Sequence, residues 1–495
     1  MKEIAIVGGG VGGLSAAVVC ASQGHAVTIF EKEPRLGGYA VSFMREGYAF
    51  DVSPRMVPAL GSGREFSALF AELGILDRVT ITRIEQGVHA RLGAYSIRMA
   101  PSYAALFSQL AEAFPEEREG LGALFRTLER LGSLYARALD DSLSAWRTIP
   151  LFLPCLPGFL RYSYMSTRRF LERYVTNRRL TAILFQPAVF WGIPADELPA
   201  VNFIVFYFMA YGYGMYTFPD GGQSVVDALI DRMRVLGVRI ETRTAIDAVL
   251  VEKRRVVGVR TVDGDTRPCA AVIGNVNAPF LIRDLIGPAH FPASYLRRLD
   301  SLSPSLSVLQ LHVGLDCPVS EAGVRDHFVI IFPDDDVDAC IKRQRASLLP
   351  QAFAVESLPA CGDNVLGKRQ SVLSVVGGVS GARWLALSEA EYAIAKTRAS
   401  EDMLANLDKV YPGLRGHIRV FDLATPRTFA RYSGNPEGAI LGYHCVRGSH
   451  RDIMKASRPP IKGLYLASGW TKHLGGFLQS MKAGVLAARA ASRAT

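Results

Sequence analysis

The seven cysteines, at positions 20, 155, 269, 317, 340, 361 and 445, contain no C-x-x-C pair and join no Cys/His cluster. That spacing offers neither zinc ligands nor a disulfide framework, so reduced, mostly buried thiols are expected, and no metal. A Ser/His/Asp triad and a carboxylate pair are also missing. No nucleic-acid motif accompanies the net charge of +10, so the positive excess points to an anionic lipid surface or to solubility alone, and no nucleic-acid partner is expected. Two apolar runs stand out, but Pro150, Pro154 and Pro157 interrupt the first, Ile149 to Leu160, and Pro199, Gly212 and Gly214 break the second, Leu198 to Pro219. Neither is the continuous span of about 20 residues that crosses a bilayer. The first strand is read from Lys2 or Glu3, with no basic and apolar leader before it, so a cytoplasmic location is expected.

What is present starts at Ile4. Ile4, Ile6 and Val7 read as a buried strand; Gly8, Gly10 and Gly13 then fill a G-x-G-x-x-G pattern before the apolar helix of Leu14, Ala17, Val18 and Val19. A second strand, Ala26 to Phe30, ends at Glu31, close to the spacing of about 20 residues that places an acid on a ribose. Gly8 permits the tight turn, Gly10 lets backbone N–H groups approach a pyrophosphate, and Gly13 lets helix and strand pack closely. Composition agrees with a folded enzyme: 49% hydrophobic and 21% charged residues over 495 positions, long enough for two joined domains. A mean hydropathy of +0.16 suggests an apolar ligand or a membrane contact.

After Glu31 the chain continues through Lys32 and Arg35 to a second glycine pair, Gly37 and Gly38. This extension resembles that of the FAD-binding amine-oxidase and phytoene-desaturase superfamily, which implies FAD rather than NAD. Three further segments carry the resemblance. Gly47 to Asp51 with Val52, Ser53 and Pro54 is similar to the family's F-D-x-G-P stretch near the flavin, with Ser53 in place of glycine. The segment 217–275 resembles the second nucleotide-domain segment, and Ile246 falls where the family places a valine whose backbone meets adenine. Gly463 to Gly476, followed by Phe477 and a helix to Ala490, resembles the last FAD-binding motif; Gly469 stands where amine-oxidase relatives carry an aspartate for the ribityl hydroxyls. The implied architecture is α/β, a Rossmann-type FAD-binding domain with a discontinuous α+β substrate-binding domain. Residues 1–100, 217–300 and 431–495 are expected to form the cofactor domain, 101–216 a helical and aromatic substrate or membrane region, and 301–430 the substrate-side sheet.

The rest bears on substrate. The uncharged run ending at Pro219 holds eight aromatic residues; Phe208, Tyr211, Tyr213 and Tyr216 are candidates to line an apolar tunnel, with plain core packing the alternative. Arg161, Arg168, Arg169, Arg173, Arg178 and Arg179 face one acid, Glu172, beside the proline-interrupted apolar segment. That pattern suits a peripheral contact with anionic lipid, or a solvated basic face. His312 and His327 are isolated and read as structural or exposed. The resemblance implies a flavoenzyme acting on a hydrophobic small molecule, a long polyene or isoprenoid, by desaturation or isomerisation; reductive saturation or cyclisation is the alternative. An amine oxidase, or a prenyl-binding chaperone such as the Rab GDP-dissociation inhibitors, is a further one. If a protein acid or base takes part, the candidates are Tyr432 and Glu437, in the stretch Thr425 to Gly438 that resembles a flavin-adjacent segment of the carotenoid desaturase and isomerase branch, and Lys472 and His473 in the last motif; a loop or cap role is the favoured alternative for each.

Overall fold

The computed structural model describes residues 1–53, 55–61, 64–138, 156–358, 371–473 and 475–493. Five short strands, apolar except for the edge strand Arg239–Glu241, form a wholly parallel sheet in the order Arg239–Glu241, Ala26–Phe30, Glu3–Val7, Ala271–Gly274, Leu464–Leu466. Strands buried on both faces need helices above and below. The helix Val11–Ser22, buried over nearly its whole length, and the C-terminal helix Phe477–Arg493 supply one layer. They cross at glycines: a Cβ on Gly484 would lie 1.9 Å from the Gly12 carbonyl oxygen, and one on Gly12 would lie 2.0 Å from that of Ala467. No side chain fits at that crossing.

A seven-stranded sheet runs Ile418–Ala424, Ser307–Leu315, Ser371–Val379, Phe353–Leu358, Phe328–Phe332, His89–Leu92, Tyr95–Arg98. It is antiparallel throughout except where Phe328–Phe332 meets His89–Leu92. The last two strands come from the stretch that the sequence reading gave to the first part of the cofactor domain. They are drawn away because their buried positions, Ala90, Leu92 and Ile97, complete the core beneath the helices Tyr103–Ala113 and Arg118–Ala138. Those helices match the threes-and-fours spacing of Leu106, Leu110, Leu121, Leu124 and Leu128, all fully buried.

The aromatic run forms the α-helix Ala200–Tyr207, one π-turn over Phe208–Gly212 and the strand Met215–Thr217. Among the described residues no helix is long and apolar enough to cross a membrane. Residues 149–155 of the proline-interrupted segment lie outside the described residues, as does Pro54; the remainder of the segment opens the helix Leu156–Tyr164.

Candidate active site

All five parallel strands deliver their carboxyl ends to one crevice, where open α/β sheets bind their ligands. Gly8 follows the first strand, Glu31 the second, Thr244 to Ile246 the edge strand, Asn275 the fourth and Ser468 the fifth, and all of them line the same cavity. The helix Val11–Ser22 has Gly10 as its N-cap and no side chain capping it, so its leading N–H groups are left for a ligand anion. Gly8 holds φ of +101°, and a Cβ there would lie 2.7 Å from the Asn275 carbonyl oxygen. Gly13 lies behind the cavity wall, where a Cβ would come within 2.2 Å of the Gly8 carbonyl oxygen. The second glycine pair folds back on the first: the Gly37 N–H donates to the Gly9 carbonyl at 2.7 Å, and a Cβ on Gly38 would lie 3.1 Å from the Gly10 Cα.

Glu31 is held by backbone alone, accepting from the Gly9 N–H at 2.7 Å and the Glu33 N–H at 2.9 Å, one bond to each carboxylate oxygen. A carboxylate fixed in this way at the end of the second strand can accept from the vicinal hydroxyls of a ribose. Lys32, Arg35, Ser53 and Ile246 line the same cavity, as do Gly469, Gly476 and Phe477.

The cavity does not stop at the nucleotide crevice. Its volume is about 1700 Å³, whereas a drug-sized ligand occupies roughly 300–1,000 Å³, and it continues as a chamber between the seven-stranded sheet and the aromatic helix. Val201, Val205 and Met209, spaced by four, share the chamber-facing side with Asn202 and Phe206, opposite Phe190 and Trp191. Phe203, Tyr207 and Tyr211 face the other way into the core. The expected tunnel residues therefore lie elsewhere. Phe208 and Tyr211 are buried in packing, Tyr213 lies under the Arg64 guanidinium 4.4 Å from its ring centroid, and Tyr216 pairs with Val57. A run that is apolar all round has no hydrophobic stripe to show which face meets the ligand.

The sheet floors the chamber with a polar row. Asp422, His312, Ser374 and Glu356 are direct cross-strand partners on four successive strands, and all line the cavity. Two residues along, Ala424, Gln310, Val376 and Ala354 form a more apolar row on the same face. Gln310 ties the rows together, its Nε2 donating to the Ser374 Oγ at 3.0 Å. His312, read from sequence as isolated, is wedged against Phe43 and Phe50, and burial pulls its pKa down to about 4.

A profile for flavin containing amine oxidoreductases matches residues 11–492. The chain belongs to that family. Among curated proteins this flavoenzyme is similar to 4,4'-diapolycopene oxygenase of Methylomonas (25% identical, covering 72% of this chain and 71% of that one). It is also similar to the chloroplastic prolycopene isomerase of Daucus carota (23% identical, 90% and 76%) and to all-trans-retinol 13,14-reductase of Danio rerio (22% identical, 94% and 82%). The fold matches a putrescine oxidase structure with a TM-score of 0.68 at 14% identity, over 99% of this chain and 98% of that one.

FAD fits the residues present: a glycine cradle closed to any Cβ, an uncapped helix start and a fixed acid at the second strand lie along one continuous cavity. When bound it supplies two-electron hydride chemistry. The flavoenzyme's expected acid/base candidates separate. Tyr432, Lys472 and His473 line the cavity. Glu437 does not; its backbone sits at φ of +56° and its carbonyl oxygen crowds Gly381 on the far side of the turn.

Glu356 was not foreseen. It lines the cavity yet is only 2% exposed, and both oxygens accept from the one Arg55 N–H, at 3.1 and 3.2 Å. The Arg55 guanidinium is turned to Asp51 and the Pro219 carbonyl instead. Burial, only partly offset by the N–H and charge of Arg55 and by the Met56 N–H, pushes the Glu356 carboxyl up to about 7. The alternating Ala354–Glu356 pattern inside an apolar strand was the available signal.

Proposed function

We propose that this FAD-dependent oxidoreductase exchanges hydride with a long apolar polyene or isoprenoid, by desaturation or isomerisation. The observation that carries the reading is the single cavity joining the nucleotide crevice to a chamber walled by Phe190, Trp191, Val205, Phe206 and Met209. Aromatic and aliphatic walls suit a chain with no polar groups to satisfy. Three relatives named for a diapolycopene oxygenase, a prolycopene isomerase and a retinol reductase support the same substrate class. The protein's part is to hold a carbon against the cofactor and keep water out, since no nucleophile is needed for the transfer.

Peripheral attachment to anionic lipid belongs to the same reading. Leu160 and Tyr164 are 48% and 58% exposed on the helix Leu156–Tyr164, next in sequence to the chamber-lining Phe159. Exposed Arg161, Arg169, Arg173 and Arg178 accompany them. Arg168 and Arg179 are engaged with other side chains, Arg168 with Asp196 and Asp338, Arg179 over the Tyr95 ring and 3.8 Å from Asp335.

Anaerobic mixing with prolycopene, phytoene, retinol and putrescine, following the flavin spectrum, tests the substrate class. Phytoene should bleach oxidised flavin if the enzyme desaturates; geometrical isomers of prolycopene formed only with reduced flavin identify an isomerase. Reoxidation of prereduced flavin by a polyene indicates a saturase. Rapid bleaching by putrescine with no response to any polyene overturns the reading.

A further inference from the structure

Glu356 differs from every other carboxylate on the cavity wall among the described residues. Glu31, Glu33, Glu65, Glu389 and Asp422 line it too, but each keeps contact with solvent, whereas Glu356 is buried. It is also only partly compensated. No guanidinium or ammonium reaches it: Arg55 spends its charge on Asp51, and the His327 Nε2 stands 3.9 Å away, beyond hydrogen-bond reach. A carboxyl in that position favours its neutral form, because burial outweighs what the Arg55 and Met56 N–H groups and the Arg55 charge return to the charged form. A structural carboxylate has no need to face a chamber, and an uncharged side chain of the same shape would accept from Arg55 N–H equally well.

We propose that Glu356 is the proton-exchanging group of the chamber, working on the substrate carbon adjacent to the one that exchanges hydride. The inference rests on the polyene reading above. When a double bond forms, one C–H gives up its proton and electron pair together as hydride to oxidised FAD. The neighbouring C–H gives its proton to the Glu356 carboxylate, and the electron pair it leaves becomes the new π bond. Carbon is oxidised by two electrons and the cofactor reduced by two. In the saturating direction the steps reverse: neutral Glu356 delivers the proton to one carbon and hydride returns to the other.

The proton affinity fits both directions, since burial brings the carboxyl up to about 7 and a group titrating near the working pH serves as acid and as base. The groups facing it are Asp51 at the end of the Tyr48–Asp51 strand, Arg55 from the turn after it and His327 before Phe328, with uncharged Phe328 and Ser374 as its cross-strand neighbours. Asp51 opposes ionisation, while Arg55 favours it. His327 is held neutral by burial and by Arg55, so it adds no charge to the pair.

The test compares wild type, Glu356→Gln and Glu356→Asp as flavin-loaded proteins. Single-turnover flavin reduction by phytoene, or reoxidation by a polyene that wild type accepts, should slow about 100-fold or more in Glu356→Gln, the usual weight of a positioned acid/base group. The inflection near neutral pH should vanish with it. Glu356→Asp should keep the inflection at a lower rate, which a loss of packing would not produce. A second readout needs no turnover: in infrared difference spectra, a protonated-carboxyl stretch should disappear between about pH 5 and about pH 9 in wild type and be absent from Glu356→Gln. Equal rates and an unchanged pH profile in Glu356→Gln overturn the proposal while leaving the substrate reading intact. Absence of the titrating stretch in wild type overturns it whatever the substrate. Failure of every polyene with wild type overturns the substrate reading and this proposal together.

Discussion

The cofactor crevice and the chamber are parts of one cavity built on opposite principles. The crevice is made of backbone: Gly8, Gly10, Gly37 and Gly38 contribute by lacking a Cβ, and Glu31 is fixed by two main-chain N–H groups. The chamber is made of side chains, from one face of the aromatic helix and from a row crossing four strands. A backbone site recognises phosphate and ribose and tolerates almost no substitution, while a side-chain site can be re-cut for another substrate without touching the cofactor. The sharpest break of this contrast is Gly10→Val. Its Cβ alone would lie 2.9 Å from the Asn275 Nδ2, which itself donates to the Gly8 carbonyl at 3.2 Å, and the γ-methyls would crowd the helix start. Overpacking of about 1–3 kcal/mol at a single contact, added to the blocked approach of the pyrophosphate, should leave the purified protein colourless with its far-ultraviolet dichroism unchanged. Full flavin occupancy in this variant would sink the crevice assignment.

The corresponding change in the chamber should do the reverse. Val205→Trp fills the chamber-facing stripe of the aromatic helix, so the yellow spectrum should persist while kcat/KM for a long polyene drops by about 1–3 kcal/mol in fit, roughly 5- to 150-fold. Loss of flavin together with turnover would mean that the two parts are not separable. Tyr211→Phe, on the core face, should leave turnover unchanged, which sharpens the distinction between the two faces of one helix.

The same contrast explains what the sequence could reveal. The crevice was legible because its glycines, strand and acid follow one another within Ile4 to Gly38, so local geometry and chain order coincide. The parallel strands Ala271–Gly274 and Leu464–Leu466 were reachable through their motifs for the same reason. The chamber was not legible. Asp422, His312, Ser374 and Glu356 become neighbours only through the register of strands far apart in the chain, and Phe206 differs from Tyr207 only in which way a uniformly apolar helix is turned. Glu437 illustrates the opposite case: a motif resemblance gave it a place near the flavin, yet it sits in a left-handed turn and is not among the residues that line the cavity.

Stability gives a smaller, pH-dependent effect confined to the chamber. Glu356 binds its proton up to about pH 7 in the folded protein, against an ordinary value of 4.5. Between those values the folded state holds a proton that the unfolded chain has released, so stability falls as pH rises through this window and levels off above it. Glu356→Gln removes the penalty. It should match wild type below about pH 4.5 and gain about 1–3 kcal/mol above about pH 7, seen as a higher Tm for the flavin-loaded protein on the alkaline side only. An equal gain at both ends would mean that packing, and not the buried charge, is responsible.

The smallest effect concerns the helix Leu156–Tyr164, which carries the chamber-lining Phe159. The helix Leu156–Tyr164 places Leu160 and Tyr164 four residues apart on an exposed face, with Arg161 between them. Arg169, Arg173 and Arg178 are also exposed and form no ion pair among the described residues. Such a surface should hold anionic vesicles by adding shallow apolar burial to charge attraction. Replacing Arg161, Arg169, Arg173 and Arg178 by Gln, one at a time, should weaken recruitment to phosphatidylserine vesicles by about 1 kcal/mol each at low salt, and by less as screening grows. Leu160→Ser should weaken it in a salt-independent way. Arg168→Gln provides the internal control: because its guanidinium bridges Asp196 and the mostly buried Asp338, its loss should lower Tm while leaving vesicle binding close to wild type. If neutral and anionic vesicles recruit the protein equally, or if Arg168→Gln weakens binding as much as Arg169→Gln, the arginines are a solvated face of the fold and the chamber is loaded from solution.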